Sequence, residues 1–203
     1  RRLFGQDGLY EPRIEDLTRV AGIAKGTLYL YFRDKEDLVL AIVGEGFHAL
    51  DEQVRQRTAG ARTLGDVVTR IVAAHLDFFA ANPDLQRIFH QARGMLMFAR
   101  PPWRHLRAPL VAHLECVAEC LAQAPVVAML PPADRFELAI ELFGLVSGVT
   151  SVRVAVRPGG PVDTDASNLG AALVAAIRRR ATNARRRPLR PRAPRHGWVV
   201  HTN

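Results

Sequence analysis

An all-α fold is what the sequence predicts, on three observations. Apolar residues recur at helical spacing from end to end, and no convincing run alternates with the period of two that marks a strand. With 203 residues, 48% of them apolar, and a mean hydropathy of −0.01, the chain can bury a core of its own. The breaks between periodic segments carry the glycines, prolines and asparagines that stop helices.

The elements follow in order. Leu3 and Phe4 read as the end of a first helix, closed by Gly5 or Gly8. Residues 14–21 form a short second helix stopped by Gly22, and residues 25–32 a third. Asp34 is the N-cap of a fourth, with Lys35, Glu36 and Asp37 in its first turn and Leu38, Ile42, Val43, Phe47 and Leu50 behind, running to about Gln56. Residues 64–81 make a helix stopped by Asn82-Pro83, and residues 84–98 another, cut by Arg100-Pro101-Pro102. Residues 103–124 read as a long amphipathic helix, with Pro125, Pro131 and Pro132 punctuating the loop after it. Residues 134–156 are apolar on nearly every side, Pro158-Gly159-Gly160-Pro161 is a break, and residues 166–180 are the last helix. The Pro- and Arg-rich remainder reads as disordered.

Charge is distributed unevenly. Nine arginines and no acids lie from Arg178 onward; removing them from a net +8 leaves −1 for residues 1–177. Bulk attraction to nucleic acid therefore belongs to the tail alone, and a DNA-binding face elsewhere must rest on local arrangement. Arginine outnumbers lysine 26 to 2, a bias that weakens any functional reading of arginine content. No run of about 18 uncharged apolar residues occurs. The richest, residues 142–152, holds two glycines, two serines and a threonine before Arg153, so no membrane partner is expected. Two cysteines four residues apart and no visible secretory leader point to a reduced, cytoplasmic protein. G-x-S-x-G, HExxH, P-loop and paired-carboxylate patterns are missing, so neither enzymatic activity nor a cofactor is expected.

The stretch AGIAKGTLYLYFRDKEDL, residues 21–38, carries the chemistry. Wound at about 100° per residue, residues 25–32 place Leu28 and Phe32 on one side. Gly26, Thr27 and Leu30 fall opposite, with Tyr29 and Tyr31 on the two edges. Such a helix suits a DNA major groove. Gly26 permits close approach, Thr27 and Leu30 meet base edges or a thymine methyl, and the tyrosine hydroxyls reach phosphates. Lys25 adds charge at the entry, and Lys35 meets a phosphate together with the free N–H groups of its helix. The preceding helix and its Gly22 turn complete a helix-turn-helix plan, although an ordinary helical hairpin has the same periodicity.

Over about the first 45 residues, Leu3-Phe4, Gly8, Ile14-Glu15-Asp16-Leu17, Ala21 through Phe32, and Lys35-Glu36-Asp37-Leu38 closely resemble the N-terminal domain of TetR-family transcriptional regulators. The resemblance implies an all-α homodimer with an N-terminal three-helix helix-turn-helix DNA-binding domain and a C-terminal helical ligand-binding and dimerisation domain. It would repress transcription from a palindromic double-stranded DNA operator and be released by a small-molecule effector bound in the C-terminal domain. The expected boundaries are residues 1–45, with the first helix truncated, 46–181, and 182–203 for the tail. By matching positions Lys25, Gly26, Thr27, Tyr29 and Leu30 face DNA, while Tyr31 and Lys35 hold phosphates. Two departures stand out. Arg13 occupies the usual Ser or Thr cap of the second helix, so the cap is lost or replaced by a phosphate contact; Thr18 occupies a position usually held by alanine.

In the C-terminal part, an apolar stretch with soft methionines points to a ligand pocket among the middle helices, suited to a small, mostly apolar effector with one or two polar groups. Phe78, Phe89, Arg93, Met95, Met97, Phe98, Trp103, Leu110, His113 and Phe143 are its candidates, with Phe79, Leu114, His75 and His90 as further walls and polar handles. The last two helices supply Leu145, Gly148, Val149, Val152, Leu169, Leu173 and Ile177 for half of a four-helix dimer interface. Two alternatives stay open. His113, Cys116 and Cys120 share a helix face that a metal- or thiol-responsive regulator could use, although i to i+7 is too long for one ion and no metal site is assigned. The Arg-rich tail could bind nucleic acid without specificity.

Overall fold

The computed structural model describes residues 1–96, 105–156 and 166–186. Among these residues the regular structure is helical: α1 (Arg2–Asp7), α2 (Ile14–Ala21), α3 (Lys25–Tyr31), α4 (Lys35–Thr58), α5 (Leu64–Ala81), α6 (Pro83–Leu96), α7 (Arg107–Leu121), α8 (Pro125–Ala128), α9 (Pro132–Val156) and α10 (Ala166–Arg186).

Local chemistry sets the ends. Gly8 (φ 88°) and Gly22 (φ 67°) close α1 and α2 in backbone conformations that side-chain-bearing residues rarely adopt. Asp34 caps α4 by accepting the N–H of Asp37 at 2.7 Å, and Thr63 caps α5 by accepting that of Asp66 at 3.1 Å. At α2 arginine cannot act as acceptor. Instead the Asp16 carboxylate accepts the backbone N–H of Arg13 at 3.1 Å, half of a capping box. Thr18, buried, donates its hydroxyl to the carbonyls of Ile14 and Glu15 and so is satisfied within its own helix.

The first three helices and the start of α4 form a small N-terminal module. α4 runs on unbroken to Thr58, so the boundary expected at residues 45/46 lies inside a helix. In the larger body α4 packs on α5 and α7, α7 on α9, and α10 on α5. Gly170 makes the last contact close: a Cβ there would stand 2.9 Å from Thr69 Oγ1. Three elements depart from expectation. α8 forms where a loop was read, because Pro125 at a first helical position starts a helix as readily as it stops one. α7 is shorter than residues 103–124, of which 103 and 104 lie outside the described residues. α10 continues to Arg186, into the segment read as tail; residues 187–203 and the break at 158–161 lie outside the described residues.

By length and composition α9 passes for a membrane span, but Leu138, Leu142, Phe143, Val146 and Thr150 bury one of its faces in the body. Its other face carries Ile140, Leu145, Val152 and Val156 to the surface, with Val152 61% exposed. Leu173 and Ile177, expected at a dimer interface, are instead buried in the core of their own protomer, where α10 packs on α5. Helical spacing identified them as inward-facing but not which surface they face.

Candidate nucleic-acid interface and ligand cavity

The N-terminal module presents α3 outward. Leu28 is the one buried side chain in α3, at 5% exposure, and Phe32 is half-buried just beyond its end. Gly26 and Thr27 are exposed, as are Tyr29 (46%), Leu30 (82%) and Tyr31 (76%). Nothing stands within 4 Å of a Cβ built at Gly26, so the packing of the fold does not require glycine there.

The two lysines have intramolecular partners. Lys25 pairs with Glu15 at 2.6 Å, which holds the Glu15 carboxyl below its usual range and the lysine above its own. Lys35 donates to the carbonyls of Tyr10 (2.7 Å) and Pro12 (3.1 Å). The ammonium of Lys35, expected at a phosphate, here ties the α1–α2 loop to the start of α4. Arg13 is exposed where α2 begins. Arg19 pairs with Asp16, and Arg33 with Asp37 at 3.4 Å.

Behind this module lies a narrow cavity of about 30 Å³, room for little more than a water or two. Its walls come from α4 (Val43, Phe47), α5 (Phe79), α6 (Gln86, Phe89, His90, Arg93) and α7 (Leu110). α9 contributes Phe143, Ser147, Thr150 and Ser151, and Leu106 lies just ahead of α7. Phe89 stacks on Phe47 with ring centroids 4.2 Å apart. Of the sequence candidates, Phe89, Arg93, Leu110 and Phe143 meet here. Phe78 and Met95 do not line it; they are buried one position away from Phe79 and Leu96, which do. Met97, Phe98 and Trp103 lie outside the described residues. Val43 and Phe47 were legible only as core positions of α4, and Gln86 carried no signal in the sequence.

His113 is also corrected. It does not line the cavity but is fully buried beneath it, against Phe47 and Phe143 with centroids 5.0 Å away from each. Its Nδ1 lies 2.6 Å from Asp51 Oδ1 and its Nε2 3.1 Å from His75 Nε2, while His75 Nδ1 donates to the Ile71 carbonyl at 2.8 Å. Proton counting constrains this chain. A carbonyl only accepts, so neutral His75 carries its proton on Nδ1 and accepts at Nε2. His113 must then donate from Nε2, and the proton between His113 Nδ1 and Asp51 makes the pair either imidazolium–carboxylate or imidazole–carboxylic acid.

Burial, and then the neighbouring His113, lower the His75 pKa to about 3. The unfolded chain takes up a proton on this residue below about pH 6.5 and the folded chain does not. The stability this contributes is present above pH 6.5 and lost as pH falls. Urea unfolding is expected to lose about 2 kcal/mol between pH 7 and pH 5 from His75. His75→Gln, which keeps an acceptor for His113, should flatten that slope; an unchanged slope would place the acid sensitivity elsewhere.

Cys116 and Cys120 are buried and unbridged, and no cluster of three metal-ligating side chains occurs among the described residues.

A helix-turn-helix module with an exposed third helix is the arrangement by which such modules enter a DNA groove. Residues 1–42 match the family of bacterial regulatory proteins, tetR family. That match covers the helix-turn-helix module and ends within α4. A fatty acid metabolism regulator protein of Bacillus subtilis is 23% identical over 83 residues, 41% of this chain and 43% of that protein, so the match spans less than half the length of the curated relative. Three solved structures share the fold. The fatty acid degradation regulator FadR of Bacillus halodurans has a TM-score of 0.74 at 19% identity, covering 87% of this chain and 91% of that one. FadR of Bacillus subtilis, in complex with stearoyl-CoA, has a TM-score of 0.66 at 16% identity, covering 87% and 92%. PfmR of Thermus thermophilus has a TM-score of 0.61 at 20% identity, covering 88% and 93%.

Proposed function

We propose that the chain is a ligand-responsive repressor that reads a palindromic operator as a homodimer and leaves it when an apolar effector enters the cavity. The observation that carries this reading is the double duty of α6. Gln86, Phe89 and Arg93 line the cavity from that helix. Its Asp84, Arg87 and Gln91 hold the N-terminal module. Gln91 Oε1 accepts the Leu9 N–H at 2.8 Å, Arg87 donates to the Gly5 carbonyl at 3.4 Å, and a Cβ at Gly5 would stand 2.7 Å from that of Asp84. An effector that widens so narrow a cavity must displace α6, and α1 with it. It shifts the equilibrium only as far as its affinities for the two arrangements differ.

On this reading α3 enters the major groove with Thr27 and Leu30 toward base edges and Gly26 allowing close approach. Tyr29, Tyr31, Lys25 and Arg13 hold the backbone, Lys25 exchanging Glu15 for a phosphate. The outward side of α9, with exposed Leu145 and Val152 and half-buried Gly148 and Val149, is covered by a second copy, with Leu169 of α10 contributing. Two recognition helices then meet half-sites about 34–36 Å apart. The likeness to fatty acid regulators supports an acyl chain as the effector.

Selection from random DNA tests the orientation of α3. Thr27→Ala and Leu30→Ala are expected to relax the preferred sequence by about 1–3 kcal/mol per affected base pair. Tyr31→Phe should weaken operator and random DNA alike. Unchanged preference in both α3 variants would mean that the helix presents another face.

A further inference from the structure

Gln86 is 7% exposed and lines the cavity, yet its buried Nε2 has no hydrogen-bond partner among the described residues. A buried amide donor left unpaired is costly, and folded proteins rarely keep one. Two turns along the same face of α6 lies Arg93, half-buried and without a carboxylate partner among the described residues. One guanidinium nitrogen donates to Ser147 Oγ at 2.6 Å and the other faces His90 Nδ1 at 3.4 Å. That leaves further N–H groups of its five unused. Across the cavity Thr150 spends its hydroxyl proton on the carbonyls of Val146 and Ser147. Among the described residues no Asp or Glu lines the cavity, and the rest of its wall is mostly aromatic and aliphatic. One side is therefore rich in donors and positive charge, and the remainder is apolar.

We propose that Gln86 and Arg93 form the polar end of this cavity, and that its ligand is an amphiphile whose apolar chain terminates in an oxygen acceptor, a carboxylate or the carbonyl of a thioester. The assignment rests on the ligand-responsive reading above and adds to it the chemistry of the head group and the two side chains that read it. Arg93 supplies charge and orientation. Gln86 donates the hydrogen bond that the free protein leaves unmade, so the cost of the orphaned donor is recovered only on binding.

Calorimetric titration of the full chain with three 12-carbon probes below their micelle concentrations tests this: dodecanoate, dodecanoyl-CoA and dodecyltrimethylammonium. The wild-type protein is expected to bind at least one oxygen-headed probe about tenfold or more tighter than the cationic one. Whether dodecanoate or dodecanoyl-CoA wins tells carboxylate from thioester. Gln86→Leu, of similar volume, should weaken the oxygen-headed probe about tenfold while melting about 2–4 °C higher, because it removes an unsatisfied buried donor. A merely structural glutamine would give a lower melting temperature. Arg93→Met should abolish discrimination against the cationic head. Unchanged affinity or a lower melting temperature in Gln86→Leu overturns the assignment. Equal binding of all three probes overturns it while leaving an apolar effector standing; failure of every probe removes both.

Discussion

Asp51→Ala is expected to cost about 3–5 kcal/mol, the largest single loss among the polar residues of the body. Asp51 of α4, His113 of α7 and His75 of α5 form one hydrogen-bonded chain through the centre of the larger unit. Without the carboxylate, His113 loses the group that faces its Nδ1 in a site with no exposure at all. It must either stay charged and unpaired or give up a proton and leave a bare lone pair facing a hole. Against a total stability of about 5–15 kcal/mol, such a loss lowers the melting temperature by about 10 °C. Asp51→Asn provides the control. An amide can turn its NH₂ toward Nδ1 of a neutral His113, which still donates from Nε2 to His75, so the chain of bonds survives. Most of the stability should return in Asn. If Asn is as damaging as Ala, charge rather than hydrogen-bond continuity holds these helices together; if both are harmless, the network contributes little. The cavity should register the change too, since Phe47 and Phe143 rest on His113 and form part of its wall.

What could be read in advance was whatever depends on neighbours in the chain. The bounds expected for the second helix and for residues 64–81 are those observed, because their stops are local: Gly22 in a left-handed conformation, and Asn82 ahead of a proline. The Asp34 cap is of the same kind. The hydrogen-bond partners of Lys35 and His113 were not legible, because they lie 23–25 and 62 residues away and nothing in helical spacing encodes them. Gln86 was invisible for a related reason, since an unsatisfied amide is defined by what fails to surround it. Leu173 and Ile177 show the limit of periodicity: the apolar stripe of α10 was legible, but whether α5 or another protomer covers it was not. The end of α10 was misjudged because no glycine or proline interrupts residues 181–186, and arginine and alanine favour helix.

Leu28→Ala is expected to abolish operator recognition while leaving the larger body intact. α3 has seven residues, too few to persist as a helix without packing. Its hold on the module is one buried leucine, helped by the half-buried Phe32 that follows it. Truncating a buried leucine costs about 2–5 kcal/mol. Here the loss falls on an element with no other buried side chain, so α3 opens locally rather than the protein globally. Holding Gly26, Thr27 and Leu30 toward a groove then requires re-forming the helix at each encounter, and a penalty of about 2.7 kcal/mol lowers affinity about a hundredfold. Fluorescence anisotropy with the selected operator should show that loss, with the main calorimetric transition shifted by only a few degrees. Leu30→Ala is the matched control: the same chemical truncation at an 82% exposed position two residues on should leave melting unchanged and alter sequence preference instead. Operator binding by Leu28→Ala within a few-fold of the wild type would mean that α3 is held by something other than its one inward leucine, and the assignment of its outward face to DNA would lose its physical basis.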